Sequence, residues 1–216
     1  MKSYILFWSL ITNLYCMTKL ITTLCLSFAV LLVSIEVSQG TQFQRGLDAA
    51  RSGDYQAALS QWKPLAEHGN ESAQFNLGVI YHKGLGIQYN YRAAVKWYTL
   101  AAEQGNAPAQ YNLGVMYRLG QGVLQNYKTA VKWYTLAAKQ GSAKSQFNLG
   151  VMYAKGKGVL QDNVNAHMWL NISSSSGKIK NAAKNRDIVA ELMTPDEIST
   201  AEKLARACIA NSYKGC

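Results

Sequence analysis

The apolar positions in the middle of this chain follow the spacing of helices, and the whole pattern repeats every 36 residues. In the first copy Ala73, Leu77 and Tyr81 lie four residues apart, as they do on one face of a helix. Asn70 precedes them and is a good N-cap residue, because its side chain can accept a free amide of the first turn. Gly84 follows them, where a left-handed residue commonly ends a helix. The pattern therefore predicts a helix between Asn70 and Gly84.

A second helix follows within the same copy. Asn90 is the next cap, Ala94, Trp97 and Ala101 keep helical spacing, and Gly105 stands where the helix stops. The tryptophan is interpreted as a core residue, because bulky aromatic side chains at helical spacing usually fill the space between helices. Each copy is thus predicted to be two helices joined by a turn that contains glycine.

Two more copies keep this frame without insertions. Their matching residues are Tyr81, Tyr117 and Tyr153, then Gly84, Gly120 and Gly156, and then Trp97, Trp133 and Trp169. A fixed period of this length indicates stacked helix pairs, each too small to bury its own apolar face. The predicted fold class is all-α, a right-handed α/α superhelical solenoid.

Glycine also recurs inside the first helix of each copy, at Gly78, Gly114 and Gly150. In a helix interior glycine costs about 1 kcal/mol relative to alanine. Its return at the same position of every copy predicts that a neighbouring helix passes too close for a side chain.

With these motifs in place, the chain resembles the Sel-one-like repeat family, a branch of the tetratricopeptide-like solenoids. The resemblance covers residues 44–177 and rests on the strings Ala-Gln-Phe-Asn-Leu-Gly-Val-Ile-Tyr, Gly-Leu-Gly, Ala-Val-Lys-Trp-Tyr and Ala-Ala-Glu-Gln-Gly. A period of 36 and the paired glycines distinguish it from the plain tetratricopeptide repeat. In the third copy Leu170 replaces the tyrosine of the first two, which places that copy near the end of the regular stack. The resemblance implies a non-catalytic scaffold that binds a protein or peptide.

The same frame predicts the domain organisation. It assigns an incomplete N-terminal unit to residues 41–69, repeats to 70–105, 106–141 and 142–177, and C-terminal capping helices to 178–216. The polar run of residues 173–177 is expected to form a loop. Thr194 to Glu197 has the pattern of a capping box with proline at the first helical position. The last helix is expected to cover the open end of the stack with Ile198, Leu204 and Ile209.

Residues 1–40 are predicted to be a signal peptide. Residues 20–35 are almost continuously apolar, Lys19 precedes them, and Ser38 and Gly40 fit cleavage before Thr41. Export predicts a periplasmic or secreted protein in an oxidising compartment.

Two alternatives stay open for this leader. Met17 by itself begins an ordinary signal peptide, so translation starts at either Met1 or Met17. Glu36 lies close to the cleavage site, which leaves open an uncleaved leader that anchors the protein in a membrane through its apolar segment.

The chain is basic, because 22 Lys and Arg against 12 Asp and Glu give a formal net charge of +10. No acidic residue occurs between Glu103 and Asp162. Two consecutive second helices carry what we call the basic stripe, which consists of Arg92, Lys96, Lys128 and Lys132. This stripe is either a solvated face or a surface for an acidic partner such as an envelope polymer, a lipid surface or an acidic protein. Nucleic acid is not expected as a partner of an exported chain, and membrane contact is expected only if the leader is uncleaved.

Cysteines and histidines indicate a disulfide and no metal or cofactor site. Cys16 and Cys25 lie in the predicted leader, which leaves Cys208 and Cys216. An even number of cysteines in an exported protein predicts a bridge between them, with two free thiols as the alternative. No metal ligand set is expected, because two cysteines without a nearby histidine make a poor zinc site. The histidines are scattered over different units, at His68, His82 and His167.

Two serine-x-x-lysine matches are candidate catalytic motifs, at Ser60 to Lys63 and at Ser175 to Lys178. The Ser-Asp-Asn and Lys-Thr-Gly elements that accompany this motif in β-lactam-binding enzymes are absent from the sequence. The chain is therefore expected not to be an enzyme. The alternative is an envelope enzyme or a cell-wall-binding protein related to β-lactams or peptidoglycan.

In a solenoid of helix pairs, the first helices line the concave side. Their face opposite Leu77 is predicted to bind a protein or peptide ligand. The predicted binding residues are Phe75, Val79, His82, Tyr111, Val115, Arg118, Phe147 and Val151. Aromatic side chains beside polar residues that change between copies are typical of a peptide groove. The alternative is that these rings pack against neighbouring helices.

Overall fold

The computed structural model describes residues 38–216. Residues 1–37 of the predicted signal peptide lie outside the described residues, and with them both possible start sites and the two cysteines of the leader. Helices make up most of the described chain, which contains no strand. They are α1 (residues 38–51), α2 (Tyr55–Glu67), α3 (Glu71–Lys83), α4 (Tyr91–Glu103), α5 (Ala107–Leu119), α6 (Tyr127–Ala138), α7 (Ala143–Lys155), α8 (Asn163–Ser175), α9 (Ala182–Ala190) and α10 (Pro195–Ala210). The predicted all-α solenoid is confirmed.

Consecutive helices pack on one another from α2 to α9, and α10 packs on α8. The first helices of adjacent units also touch, as α3 does with α5 and α7 with α9. This arrangement stacks the units side by side and aligns equivalent positions of the first helices along one face.

The ends of α3 and the start of α4 lie where the sequence predicts them. The side chain of Asn70 accepts a hydrogen bond from the amide of Ala73, and that of Asn90 accepts one from the amide of Ala93. Gly84 ends α3 with a φ of +68°, in the left-handed region. Local capping therefore defines each unit before any packing between units is considered.

The core is continuous from unit to unit because each tryptophan reaches back into the preceding interface. Trp97 of α4 packs with Ala73 and Leu77 of α3 and with Trp62 of α2. Trp133 repeats this one unit later, where it joins the buried side chains of α4 and α5. The interpretation of the tryptophans as core is confirmed.

The helical glycines lie against side chains of the second helix in the same unit. A β-carbon at Gly114 would lie 2.7 Å from the Cδ1 atom of Tyr134, and Gly78 faces the ring of Tyr98 in the same way. The predicted close approach is confirmed, and the crowding group is a tyrosine ring at Gly78 and Gly114 and the side chain of Leu170 at Gly150.

A ladder of glutamines ties the units together, in which Gln74 and Gln110 are buried and their donors Gln104 and Gln140 are exposed. The sequence pattern did not predict it. The Nε2 group of Gln104 donates to the Oε1 atom of Gln74 at 2.7 Å and to the carbonyl of Gly69 at 3.0 Å. Gln140 makes the equivalent bond to Gln110 at 2.9 Å. These bonds satisfy polar groups at the helix ends that would otherwise be buried without a partner.

The expectation that residues 173–177 form a loop is wrong for the first three of them, since α8 continues to Ser175. Ser173 is buried, and its hydroxyl donates to the carbonyl of Ala143 at 2.9 Å. The Ser175 hydroxyl donates to the carbonyl of Ile172 in its own helix. Because the helix and its neighbour satisfy these hydroxyls, a polar run does not have to leave the helix here.

Helix α10 begins with the predicted capping box, in which Thr194 and Glu197 exchange hydrogen bonds. Its buried face differs from the prediction. Leu204 and Ile209 are 43% and 41% exposed. The side chains that α10 buries are small, and they are Ala201, Ala205 and Cys208. Small side chains allow α10 to approach Met168 and Trp169 of α8, which lie in the same cluster.

Candidate protein-binding groove

Helices α3 and α5, the side chain of Tyr98 and the start of α7 enclose a groove of about 630 Å³. Four of the predicted binding residues line it, namely Phe75, Val79, His82 and Tyr111. The other lining residues are Lys83, Tyr98, Ala107, Pro108, Asn112, Gln140, Gly141, Ser142 and Lys144. We refer to this depression below as the concave groove.

Phe75 and Tyr111 are half-buried residues of the groove, and each is supported by a tyrosine of its own unit. The ring of Phe75 lies 6.0 Å from that of Tyr98, and the ring of Tyr111 lies 6.2 Å from that of Tyr134, measured between centroids. Each ring therefore packs on its own unit and still borders the groove. The rings do pack against a neighbouring helix, and ligand binding by them stays a prediction.

His82 lies beside two tyrosine rings at one side of the groove. Its imidazole makes edge contacts with Tyr91 at 5.6 Å and with Tyr98 at 6.0 Å. Burial lowers the pKa of His82, the charge of Lys83 lowers it further, and a hydrogen bond with Gln121 opposes the shift. His82 is therefore neutral at pH 7 and offers hydrogen bonding rather than charge.

The tyrosines beneath the groove keep their protons. Burial raises the pKa of Tyr98 above its ordinary value, against a hydrogen bond with Asn112. Burial likewise raises the pKa of Tyr134 to about 12, and the nearby Arg118 opposes this shift. The Nε group of Arg118 donates to the Tyr134 hydroxyl at 3.3 Å, so this arginine is held on the wall of its own unit.

The charges that line the groove are positive. Lys83 and Lys144 line it, and no aspartate or glutamate does. The Nζ atom of Lys144 lies 5.8 Å from the centre of the Tyr111 ring. A cation is thus held directly over an aromatic residue of the groove.

The remaining predicted binding residues do not line the groove. Phe147 and Val151 pack in a cluster with Leu170 of α8, Val189 of α9 and Met193. Val115 packs against the cluster that contains Tyr134. Helix α9 therefore occupies, at the third repeat, the place where the groove would otherwise continue.

The basic stripe lies on α4 and α6, and all four of its side chains are exposed. The Nζ atom of Lys96 lies 5.2 Å from the centre of a Trp97 ring, and that of Lys132 lies 5.5 Å from a Trp133 ring. These cations cover the edges of core tryptophans and still expose their charge.

The sulfur atoms of Cys208 and Cys216 lie at bonding distance, with Cα atoms 5.5 Å apart. A bridge of this kind is typical of an oxidising compartment. Within residues 38–216 no helix is long and apolar enough to cross a membrane. In the same range no group of three histidine, cysteine or carboxylate side chains could hold a metal ion.

The serines of the two serine-x-x-lysine matches are engaged in their helices. The hydroxyl of Ser60 donates to the carbonyl of Ala57 at 2.7 Å, and that of Ser175 donates to the carbonyl of Ile172 at 2.8 Å. These bonds follow the usual pattern of serines on helices.

Nine of the lining residues are not among the predicted ones, and two of them, Lys144 and Tyr98, contribute a charge and an aromatic ring to the groove. Lys144 lies in the first turn of α7 and Tyr98 on a second helix, so neither belongs to the helix face from which the groove was predicted. The sequence does contain one indication for Tyr98, because a tyrosine recurs 36 residues later at Tyr134. Both rings pack against the glycine inside the first helix of their unit.

Comparison with known proteins adds a family and two structural relatives. A model of the Sel1 repeat matches residues 71–106, 107–142 and 143–178. The chain is similar to the crystal structure of a Sel1 repeat protein from Oxalobacter formigenes, with 31% identity and a TM-score of 0.61 over 68% of this chain and 43% of that one.

It is also similar to c5321, described as a protective antigen present in uropathogenic Escherichia coli strains that displays an SLR fold, with 26% identity and a TM-score of 0.52 over 81% of this chain and 47% of that one. The chain spans less than half the length of either protein. No curated protein matches it in sequence.

Proposed function

Since the chain belongs to the Sel1 repeat family, we propose that it is an exported adaptor without catalytic activity that binds a protein or peptide ligand in the concave groove. Sel1 repeat proteins generally mediate interactions between proteins. Export is supported by the predicted signal peptide and by the cysteine pair at bonding distance, and it would place the protein in the periplasm or outside the cell.

The observation that carries the proposal is the pairing of Phe75 and Tyr111 in one groove. They are equivalent residues of adjacent units, and each rests on a tyrosine that is itself held by the core. Their positions are therefore set before a ligand arrives, which reduces the conformational entropy lost on binding. Half-buried aromatic rings of this kind are frequent anchors in protein interfaces.

The charge of the groove supports a ligand with acidic side chains next to an apolar one. Lys83 and Lys144 would face the carboxylates, and Phe75 and Tyr111 would contact the apolar side chain. The lysines would act mainly on the rate of association and on its salt dependence, because they are exposed.

The test uses crosslinking and matched double variants. A photoreactive phenylalanine analogue at Val79 captures the ligand in cells, whereas the same analogue at Leu136, an exposed position on α6, serves as the control. For the captured ligand, Phe75→Ala with Tyr111→Ala is expected to weaken binding by more than about 2 kcal/mol, or about thirtyfold. Leu100→Ala with Leu136→Ala is the matched control and should leave binding unchanged.

Circular dichroism and thermal melting of each variant separate loss of binding from loss of folding. A folded Phe75/Tyr111 variant that binds the ligand like the parent would contradict the groove. Equal crosslinking yields from Val79 and Leu136 would contradict it as well.

A further inference from the structure

The loops that join the two helices of the second and third repeats present the most exposed large apolar side chains of the described residues. Leu124, between α5 and α6, is 92% exposed, and Leu160, between α7 and α8, is 90% exposed. They are 36 residues apart and so occupy the same place in consecutive units. Their exposure is thus a repeated property of one edge of the stack, which we call the loop edge.

These loops are held in a fixed conformation. Gly122 has a φ of +72°, and a β-carbon there would lie 2.5 Å from the carbonyl oxygen of Tyr91. The amide of Gln121 donates to the carbonyl of Met116 at 3.0 Å, and the amide of Asn126 donates to that of Tyr117 at 2.9 Å. The loop backbone is therefore packed on the preceding unit, and Leu124 is displayed rather than left to collapse onto the core.

The same packing places the basic stripe beside the loop edge. Gly158 lies against the backbone of Tyr127 and Lys128, and Gly122 lies against that of Arg92. Lys128 and Lys132 share a shallow depression with Gly158 and Val159, the residues that lead to Leu160. Lys157 adds a cation in the same loop, with its Nζ atom 5.2 Å from the centre of the Tyr127 ring.

Two carboxylates lie beside the second loop, those of Asp162 and Glu197. Both are engaged in helix capping. Asp162 accepts hydrogen bonds from the amide and the side chain of Asn165, and Glu197 accepts them from Thr194. Lys128 and Lys132 of the stripe lie between Glu103 and Asp162, a stretch of the sequence that has no acidic residue, whereas Arg92 and Lys96 precede it.

We propose that the loop edge docks on the surface of an anionic lipid bilayer, with Leu124 and Leu160 inserted at the level of the headgroups and the basic stripe facing the lipid phosphates. Apolar side chains at fixed positions gain from entering the interface, and neighbouring lysines and arginines gain from the negative surface potential. A protein partner is disfavoured by the shape, because two separate protruding leucines would need two matching pockets at the spacing of the repeats. The bilayer contact adds a route to the membrane that is independent of the predicted leader and of the concave groove.

The test uses the full chain and reads the position of individual side chains. Binding through the apolar leader alone would not bring residues 124 and 160 into the bilayer, so it would not produce the signal. Leu124→Trp and Leu160→Trp are prepared separately and mixed with vesicles of phosphatidylglycerol and phosphatidylcholine whose acyl chains carry bromine. Bromine quenches a tryptophan that enters the bilayer, and emission is compared with that in unbrominated vesicles. We expect about twofold quenching at both loop positions, after subtraction of the parent protein, and none with pure phosphatidylcholine.

Ile188→Trp and Leu192→Trp are the matched controls, because these side chains are also exposed but lie on α9 and just after it, away from the basic stripe. They should show no quenching. Lys128→Glu with Lys132→Glu is introduced into the Leu160→Trp protein. It should raise about tenfold the concentration of anionic lipid at which quenching is half-maximal. Inorganic polyphosphate is the soluble competitor that carries phosphate charge without a bilayer.

Absence of quenching at positions 124 and 160 would overturn the proposal. It would also be overturned by quenching at the control positions equal to that at the loops. Binding to polyphosphate together with an absence of quenching would show that the stripe recognises charge alone, and would overturn it too. The concave groove is unaffected by each of these results, since none of the substituted residues lines it.

Discussion

Tyr98 and Tyr134 each connect the core of a unit to its concave surface. On one side, the ring of Tyr134 occupies the space that a side chain at Gly114 would need. On the other, it supports the ring of Tyr111, and its hydroxyl accepts a hydrogen bond from Arg118. A change at the buried glycine is therefore transmitted to the groove through one side chain.

Replacing Gly114 by alanine tests this arrangement. The substitution favours the helix by about 1 kcal/mol, but the new methyl group collides with Tyr134. We expect a net loss of about 1–3 kcal/mol in the free energy of unfolding, measured by urea denaturation. Lys203→Ala, at an exposed position of α10, is the control and should change stability by less than about 0.5 kcal/mol. An unchanged or raised urea midpoint for Gly114→Ala would rule out the crowding.

His167 makes the stability of the stack depend on pH. It is buried in α8, and among residues 38–216 its Nδ1 atom has no hydrogen-bond partner. Burial lowers its pKa below 6.5, Arg186 lowers it further, and Glu202 and Asp187 oppose this. The unfolded chain therefore binds a proton at a higher pH than the folded chain does. The contribution to stability is complete above pH 6.5 and is lost as the pH falls from 6.5 to the lowered pKa.

His167→Gln is expected to reduce this loss of stability on acidification. Urea denaturation of the parent and the variant at neutral pH and again below the lowered pKa measures the difference. His82 has a lowered pKa for the same main reason and contributes in the same direction, so some pH dependence should remain. His68→Gln at an exposed position is the control. Parallel pH profiles of the parent and His167→Gln would contradict the assignment.

At the scale of the helices, the glutamine ladder explains how the ends of adjacent units are joined. Gln140 donates to the Oε1 atom of Gln110 and, at 2.9 Å, to the carbonyl of Gly105. Gln110 in turn donates to the carbonyl of Ala102 at 3.0 Å. Each pair of glutamines thus joins the two helices of one unit, and its bonds to backbone carbonyls reach the end of the second helix in the unit before it.

Gln140→Ala is expected to destabilise the protein by about 1–3 kcal/mol, because it leaves the buried Oε1 atom of Gln110 without its donor. The measurement is the midpoint of chemical denaturation at constant slope. Gln125→Ala is the matched control, since Gln125 is exposed and donates to the carbonyl of Arg118 in its own repeat. If both variants melt alike, the ladder contributes nothing beyond ordinary surface bonding.

The helices could be predicted from the sequence because the signals that define them are local. Asn70 and Gly84, for example, act within one turn of the helix they bound. The ladder could not, because a glutamine in a helix looks like a surface residue until its partner 30 positions away is in place. The end of α8 could not be predicted for a similar reason. The carbonyl that accepts the hydrogen bond of Ser173 belongs to Ala143 on α7, 30 positions away.

The concave groove was predicted in part. Phe75 and Tyr111 line it because their units have a following first helix of the regular kind. Phe147 is followed by α9, which begins after a different loop and brings Val189 and Met193 onto the same face. The repeat frame says nothing about a helix outside it, so the closure of the groove at the third repeat could not be read from the periodicity.

At the scale of the whole molecule, the stack is a row of units in which the tryptophan of each repeat also packs on the unit before it. Stability in such a row depends on contacts between neighbours, and a terminal unit has a neighbour on one side only. The C-terminal end buries mainly small side chains of α10, namely Ala201, Ala205 and Cys208. It therefore gains less from apolar burial than an internal unit with a buried tryptophan does.

The bridge between Cys208 and Cys216 is expected to compensate for this weaker end. The two cysteines have a sequence separation of 8. Closing a loop of this size stabilises the folded state by about 2–3 kcal/mol, because the unfolded chain loses conformational entropy. The loop also holds Tyr213, whose ring lies 3.0 Å from the place of a β-carbon at Gly141 and so covers the turn between α6 and α7.

Cys216→Ala should therefore speed hydrogen exchange in α10 while leaving α5 protected, because opening starts at the end without a neighbour. Reduction of the parent protein should produce the same pattern, and alkylation without reductant should find neither Cys208 nor Cys216 free. Uniform loss of protection along the stack would mean that the end does not open separately, and labelled thiols would mean that the bridge does not form.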